Sequence, residues 1–214
     1  MLSRPGWAAT AAIALAVFGV SCTGEPESSE LDRFLCAPED LTGTYHELAR
    51  GEMRPDDLRD LGNPGGEVAE GLERGSFVYY SEALPRPPFE RPTEVVCQVL
   101  EFETAESALA WVQALEPDDS LEGMALIWLP DGEREFTAVE SNDTPEADPV
   151  SRRFELSASE GDSHLTAVTE SYGQETLVIT MLVGQAAEAA DHDVQWAQLA
   201  EIRDAWEVRT ASEE

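Results

Sequence analysis

Few residues in this chain have the types and spacing for covalent chemistry. A serine stands beside a histidine once, in Gly161-Asp162-Ser163-His164-Leu165, and a histidine stands between two acids once, in Asp191-His192-Asp193. Acyl transfer at a serine needs an imidazole to take the hydroxyl proton and an acid to orient that imidazole. Here the serine falls between two strand-like stretches, and Gly, Asp and Ser are residues that turns use, so the block is expected to be a hairpin turn. No Gly-x-Ser-x-Gly elbow occurs. The acids around His192 suit the start of a helix, where they complement the dipole.

Metal chemistry has equally thin support. The three histidines, His46, His164 and His192, are far apart, and no His-x-x-x-His or Cys-x-x-Cys pair is present, so no zinc site is expected. Glu140-Ser141-Asn142-Asp143-Thr144-Pro145-Glu146-Ala147-Asp148 is rich in oxygen ligands but lacks the spacing of a calcium loop, and its composition is that of a polar connection. Asp56-Asp57 and Asp118-Asp119 lie at expected turns or helix starts. No catalytic residue, metal or cofactor is assigned. The one candidate binding set is Tyr79, Tyr80, Arg86 and Arg91: strand alternation puts the two tyrosines on opposite faces, and a stiff Pro-rich loop, Pro85 to Pro92, carries the two arginines. In an acidic chain these would suit an anionic or planar group. A long hairpin loop with a solvated rim is the competing account.

The N-terminus supplies the address. Arg4 precedes an apolar run from Trp7 to Val20, within signal-peptide range and short of the ~20 residues a spanning helix needs. It ends in Gly19-Val20-Ser21-Cys22, which resembles the lipobox of bacterial lipoproteins, with Gly19 where a branched apolar residue is usual. The resemblance implies that residues 1–21 are removed and that Cys22 becomes a diacylated N-terminus; an ordinary secretory signal cut near Ser21 is the alternative. Residues 22–33 are polar and acidic, the composition of a flexible tether. With Cys22 lipidated, Cys36 and Cys97 are left, and in an exported chain they are expected to pair, closing a loop of about 62 residues. Two reduced thiols are the other possibility.

The formal charge is −31, with 44 Asp and Glu and no lysine. Such a surface repels polyanions, so nucleic acid and anionic headgroups are poor partners, while cations and basic proteins are compatible. An acidic coat suited to high salt accounts for the same composition.

Residues 34–210 are long enough for one domain, with 211–214 as a disordered tail. Strand signals occur at 76–80, 95–102, 124–129 and 176–183, with shorter ones at 42–48, 135–139, 153–158 and 165–170. Leu177, Ile179, Met181 and Val183 alternate with mostly apolar Val178, Thr180 and Leu182, as expected of a central strand covered on both faces. One helix is expected after an N-cap at Thr104, with Leu109, Trp111, Val112 and Leu115 inward and a stop at Pro117. A second is expected from about Ala186 to Trp206 on Trp196, Leu199, Ile202 and Trp206.

Each helix follows two strands, so the order ββα occurs twice and suggests a duplication. The expected fold is α+β: an antiparallel sheet with both main helices on one face. That element order is similar to the bodies of some actinobacterial envelope lipoproteins and to extracellular sensor domains of certain membrane kinases, without a shared motif. Gly161-Asp162-Ser163 also resembles the serine block of the GDSL esterases, but it comes late in the chain and no Asp-x-x-His follows it. The expected function is an envelope-anchored, extracytoplasmic binding or sensing module without catalysis, whose ligand or envelope partner the sequence does not name. A structural or assembly lipoprotein with a protein partner is the first alternative, and an unrecognised hydrolase the second.

Lipidation predicts that the native chain fractionates with membranes and carries acyl mass, and that Cys22→Ala removes both. Intact-mass measurement of membrane and soluble fractions checks this; a native chain that is soluble and unacylated would sink the anchor.

Overall fold

In a computed structural model of the chain, the described residues are 30–55, 71–83, 92–116, 135–140, 151–160, 163–186 and 191–212. They form seven strands: β1 (Tyr45–Met53), β2 (Leu72–Glu82), β3 (Thr93–Phe102), β4 (Glu135–Glu140), β5 (Ser151–Glu160), β6 (Ser163–Gln174) and β7 (Leu177–Ala186). Helix α1 (Ala105–Ala114) follows β3, and helix α2 (His192–Ser212) follows β7. All strands join one antiparallel sheet in the order β1-β2-β3-β7-β6-β5-β4. β7 is thus the middle strand.

The alternation in β7 decides the layers. Leu177, Ile179, Met181 and Val183 pack with Leu199, Ile202 and Trp206 of α2, whereas Val178 and Leu182 pack with Ala108, Trp111, Val112 and Leu115 of α1. The α+β antiparallel fold is as expected, but the two helices lie on opposite faces rather than on one. The reason is the strand itself, because apolar side chains on both faces require cover on both. A two-fold relation between β2-β3-α1 and β6-β7-α2, with β3 antiparallel to β7, would keep both helices on one face, so the duplicated arrangement is not the observed one.

Part of the α2 face is covered by something the sequence did not advertise. Residues 30–41 form two short 3-10 turns, Glu30–Phe34 and Pro38–Asp40, and bury Leu31, Leu35, Cys36 and Leu41 in the α2-side core. The folded body therefore begins at least four residues before the expected boundary at residue 34. Cys36 is joined to Cys97 on β3, with a Cα–Cα separation of 5.8 Å. Tyr80 Oη donates to the Cys36 carbonyl (3.1 Å), Trp206 Nε1 to the Phe34 carbonyl (2.8 Å) and Ser76 Oγ to Asp32 Oδ1 (2.8 Å). From the last turns of α2, Arg209 donates to the Arg33 and Leu35 carbonyls and holds buried Asp40 through contacts of 3.0 and 3.1 Å.

Local signals set the helix ends. Thr104 caps α1, its Oγ1 accepting from Ser107 N–H at 3.1 Å. Ala108 takes the inward place expected of Leu109, which sits at the rim. Asp191 caps α2 by accepting from Val194 N–H at 3.2 Å. That helix starts later than expected because Ala186 belongs to β7, paired with Leu165, and it runs on to Ser212, two residues past the expected end of the domain. The β5–β6 ladder reaches Glu160↔Ser163; the turn expected at Gly161-Asp162 lies outside the described residues, as does the strand expected at 124–129.

Breaking the cystine with Cys36→Ala and Cys97→Ala is expected to cost roughly 4 kcal/mol. Arg209→Met is expected to cost about 3–5 kcal/mol, because it leaves the Asp40 carboxylate buried without its cation. Urea unfolding of each variant checks both values.

Candidate functional site

Of the sequence's candidate binding residues, the structure separates the two it describes. Tyr80 is 1% exposed on the α2 face, with its hydroxyl committed to the Cys36 carbonyl and 3.5 Å from Arg50 Nη2. It is a core residue. Burial pushes its hydroxyl pKa up to about 12, with the Arg50 charge pulling the other way. Arg50 itself is held charged chiefly by its bonds to Glu47. Tyr79 lies half-buried on the opposite face and hydrogen-bonds Glu94. Arg86, Arg91 and Cys22 lie outside the described residues, as do the acidic runs at 56–57, 118–119 and 141–148. Cys36 and Cys97 are brought together as the buried cystine.

The densest array of polar and aromatic groups is elsewhere, along the flank of α2 above β5 and β6. Alternation on β5 sends Arg153 and Glu155 to the α2 face, and the helical period places His192, Trp196 and Arg203 along one side of α2. Glu155 receives the Trp196 indole N–H on Oε1 at 3.0 Å and lies 3.4 Å from His192 Nδ1 through Oε2. The other ring nitrogen of His192 is 3.4 Å from the Leu156 carbonyl. The Arg153 guanidinium stands 5.3 Å from the centre of the Trp196 ring, a cation–π distance, and bonds Glu170 at 2.9 Å. Glu170, which is 4% exposed, also receives Arg203 Nη1 at 3.1 Å.

The result is a ledge whose wall is α2 and whose floor continues onto β5 and β4. Trp196 is fixed by a hydrogen bond at its edge and a cation on one face, so its orientation is set in advance. Val139 of β4 pairs with Glu155 and is 61% exposed beside it. Such an array can position and hold a ligand. None of its members is arranged as a nucleophile activated by a base. Among the described residues, no three His, Cys, Asp or Glu side chains are grouped to hold a metal.

Sequence reasoning missed this array because its hydrogen bonds join residues 17–41 positions apart. The visible trace was limited to the positions of Trp196 and His192 in the last helix. Trp196 was expected to face the core and stands instead at its margin.

No protein-family model matches the chain, and no curated protein matches it. Among solved structures, the extracellular domain of PknH from Mycobacterium tuberculosis is similar, with a TM-score of 0.46 and 10% identity over 78% of this chain and 86% of that one. No residue role is carried over from it.

Burial holds the Glu94 carboxyl above its ordinary range, with the Tyr79 hydrogen bond opposing. Between the unfolded and folded pKa values the folded state keeps a proton that the unfolded state has released, so this group makes stability fall as pH rises through that window. Glu94→Gln is therefore expected to gain stability relative to the native chain at about pH 7 and to lose that advantage at about pH 4. Melting temperatures at the two pH values check the sign.

Proposed function

We propose that this protein is an extracytoplasmic binding or sensing module, tethered to the cell envelope by a lipid on Cys22 and without a catalytic step of its own. A buried cystine supports the compartment, because disulfides persist where the surroundings are oxidising. The distance from Cys22 to the first described turn supports the tether. Seven residues lie between Cys22 and Glu30, enough to span at most about 25 Å, so a lipidated chain would hold the body close to the membrane surface. The observation that carries the binding role is the preorganised ledge of Trp196, Arg153, Glu155 and His192. Fixed aromatic and charged groups at the edge of a helix favour recognition of a ligand over a stability role alone.

An assembly role with a protein partner is the second reading. Val139, exposed on the outermost strand beside the same ledge, favours it.

Purification of the full-length chain from native envelopes tests the proposal. The native protein is expected to bring down a bound species, and the double variant Trp196→Ala, Glu155→Gln is expected to release it while still melting cooperatively. A small molecule in the mass spectrum favours the sensing role, and a protein favours assembly. A native chain recovered alone on repeated purification would sink both.

A further inference from the structure

The two outer strands of the sheet present their edges differently. β1 is interrupted by a register shift between Glu47 and Ala49, where Leu48 has no register partner and is 57% exposed. Bulges of this kind twist an edge away from further pairing. β4 runs opposite β5 for all six of its residues, from Glu135↔Ser159 to Glu140↔Phe154, without a shift. It is the outermost strand on its side. About half of its backbone N–H and C=O groups face away from β5, at a spacing that another strand can match. β4 thus offers a regular edge about 20 Å long, which fits an extended chain better than a compact ligand.

Val139 shows that this edge is reached by solvent, being 61% exposed. Its register partner is Glu155, the carboxylate of the ledge, and partners in register share a face of the sheet. The Glu155 side chain is 33% exposed; it accepts from the Trp196 indole on Oε1 and faces His192 from Oε2. An ionised carboxylate has about four acceptor sites, so among the described residues Glu155 keeps capacity for a further donor. A residue of an added strand opposite Val139 would lie about 4.8 Å beyond it. An arginine or lysine there can lay its methylenes over Val139 and bring its charge to Glu155.

Charge selects the occupant. β4 begins and ends with glutamate, and the whole chain carries a formal charge of −31. Full antiparallel overlap of two copies would set Glu135 opposite Glu140 at both ends, like charges directly across a pair, and the two bodies would repel as well. A segment with arginine or lysine at those places turns each repulsion into an attraction. We propose that β4 takes up a basic, extended segment of a partner protein as an added strand. This inference rests on the assembly reading above and supplies the partner's chemistry and its way of docking.

The test uses the purified full-length chain and three peptides as long as β4: alternating arginine and valine, alternating glutamate and valine, and alternating arginine and proline, whose prolines lack the N–H that a ladder needs. Binding is read by calorimetry at low and high salt, and its place by amide deuterium exchange. The arginine-valine peptide is expected to bind, more weakly as salt rises, and to slow exchange over residues 135–140. Val139→Arg and Glu155→Gln are each expected to weaken it about tenfold. Val139 is a surface position, so its variant is expected to keep the native melting temperature. The proposal falls if the arginine-valine peptide does not bind, if either other peptide binds as tightly, if exchange over 135–140 is unchanged, or if neither variant weakens binding. It also falls if the chain alone is a dimer that Val139→Arg takes apart, which would make the edge an interface between copies. A protein still brought down from envelopes by the Val139→Arg chain would leave the assembly reading standing and remove this edge as its site.

Discussion

Two-sided burial of β7 is the constraint from which the rest of the architecture follows. A strand with Ile179, Met181 and Val183 on one face and Val178 and Leu182 on the other needs cover on both. One helix cannot supply that, so α1 and α2 take opposite faces. Neither helix reaches across the first three strands on the α2 side, where Val78, Tyr80, Val95, Cys97 and Val99 would otherwise meet water. Residues 30–41 fill that place. A segment so short has little core of its own, and its conformational entropy opposes ordering. The cystine and the Arg209 contacts hold it where apolar burial alone would be marginal.

This clamp ties the chain's first described residues to its last helix. Asp40 is buried beside Arg209, and the carbonyls of Arg33, Phe34 and Leu35 are bonded from α2. α2 is therefore anchored unevenly along its length. From Leu199 onward it is fixed by Trp206, Arg209 and the apolar contacts of Leu199 and Ile202, while its first turns meet the sheet through Gln195, Trp196 and His192, which are polar or amphipathic. The proposed recognition groups thus sit on the end of the helix with fewer apolar contacts, where small adjustments cost less.

How much of this was legible depends on the range over which each feature acts. The strands at 95–102 and 176–183 and the cap at Thr104 are local patterns, and the sequence carries them openly. The pairing of Cys36 with Cys97 followed from compartment and count. Helix placement was also within reach, because the apolar residues on both faces of 177–183 already contradicted two helices on one side; the apparent ββα repeat outweighed that evidence. Alternation separates Tyr79 from Tyr80 without saying which is inside. Glu155, Glu170 and Gln195 had no local signal, since each gains its meaning from partners on other elements.

The charge distribution narrows what the surface can receive. Arginine is the only strong cation in the chain, 13 residues against 44 acids, and among the described residues Arg50, Arg153, Arg203 and Arg209 each hold a carboxylate. Asp40 and Glu170 are deeply buried, so their arginines cannot be drawn away to an anionic ligand without leaving a carboxylate unpaired inside the protein. Arg153 and Arg203 stand at the ledge, yet both are committed to Glu170 and act there as shaped, neutralised surface. Arg153 presents a stacked plane to Trp196 rather than a free charge. An anion approaching the ledge would meet the field of the acidic coat with no uncommitted cation among these four to offset it. A neutral or cationic ligand meets neither obstacle, and a neutral one would draw its affinity from hydrogen bonds and the indole face, interactions that salt screens little.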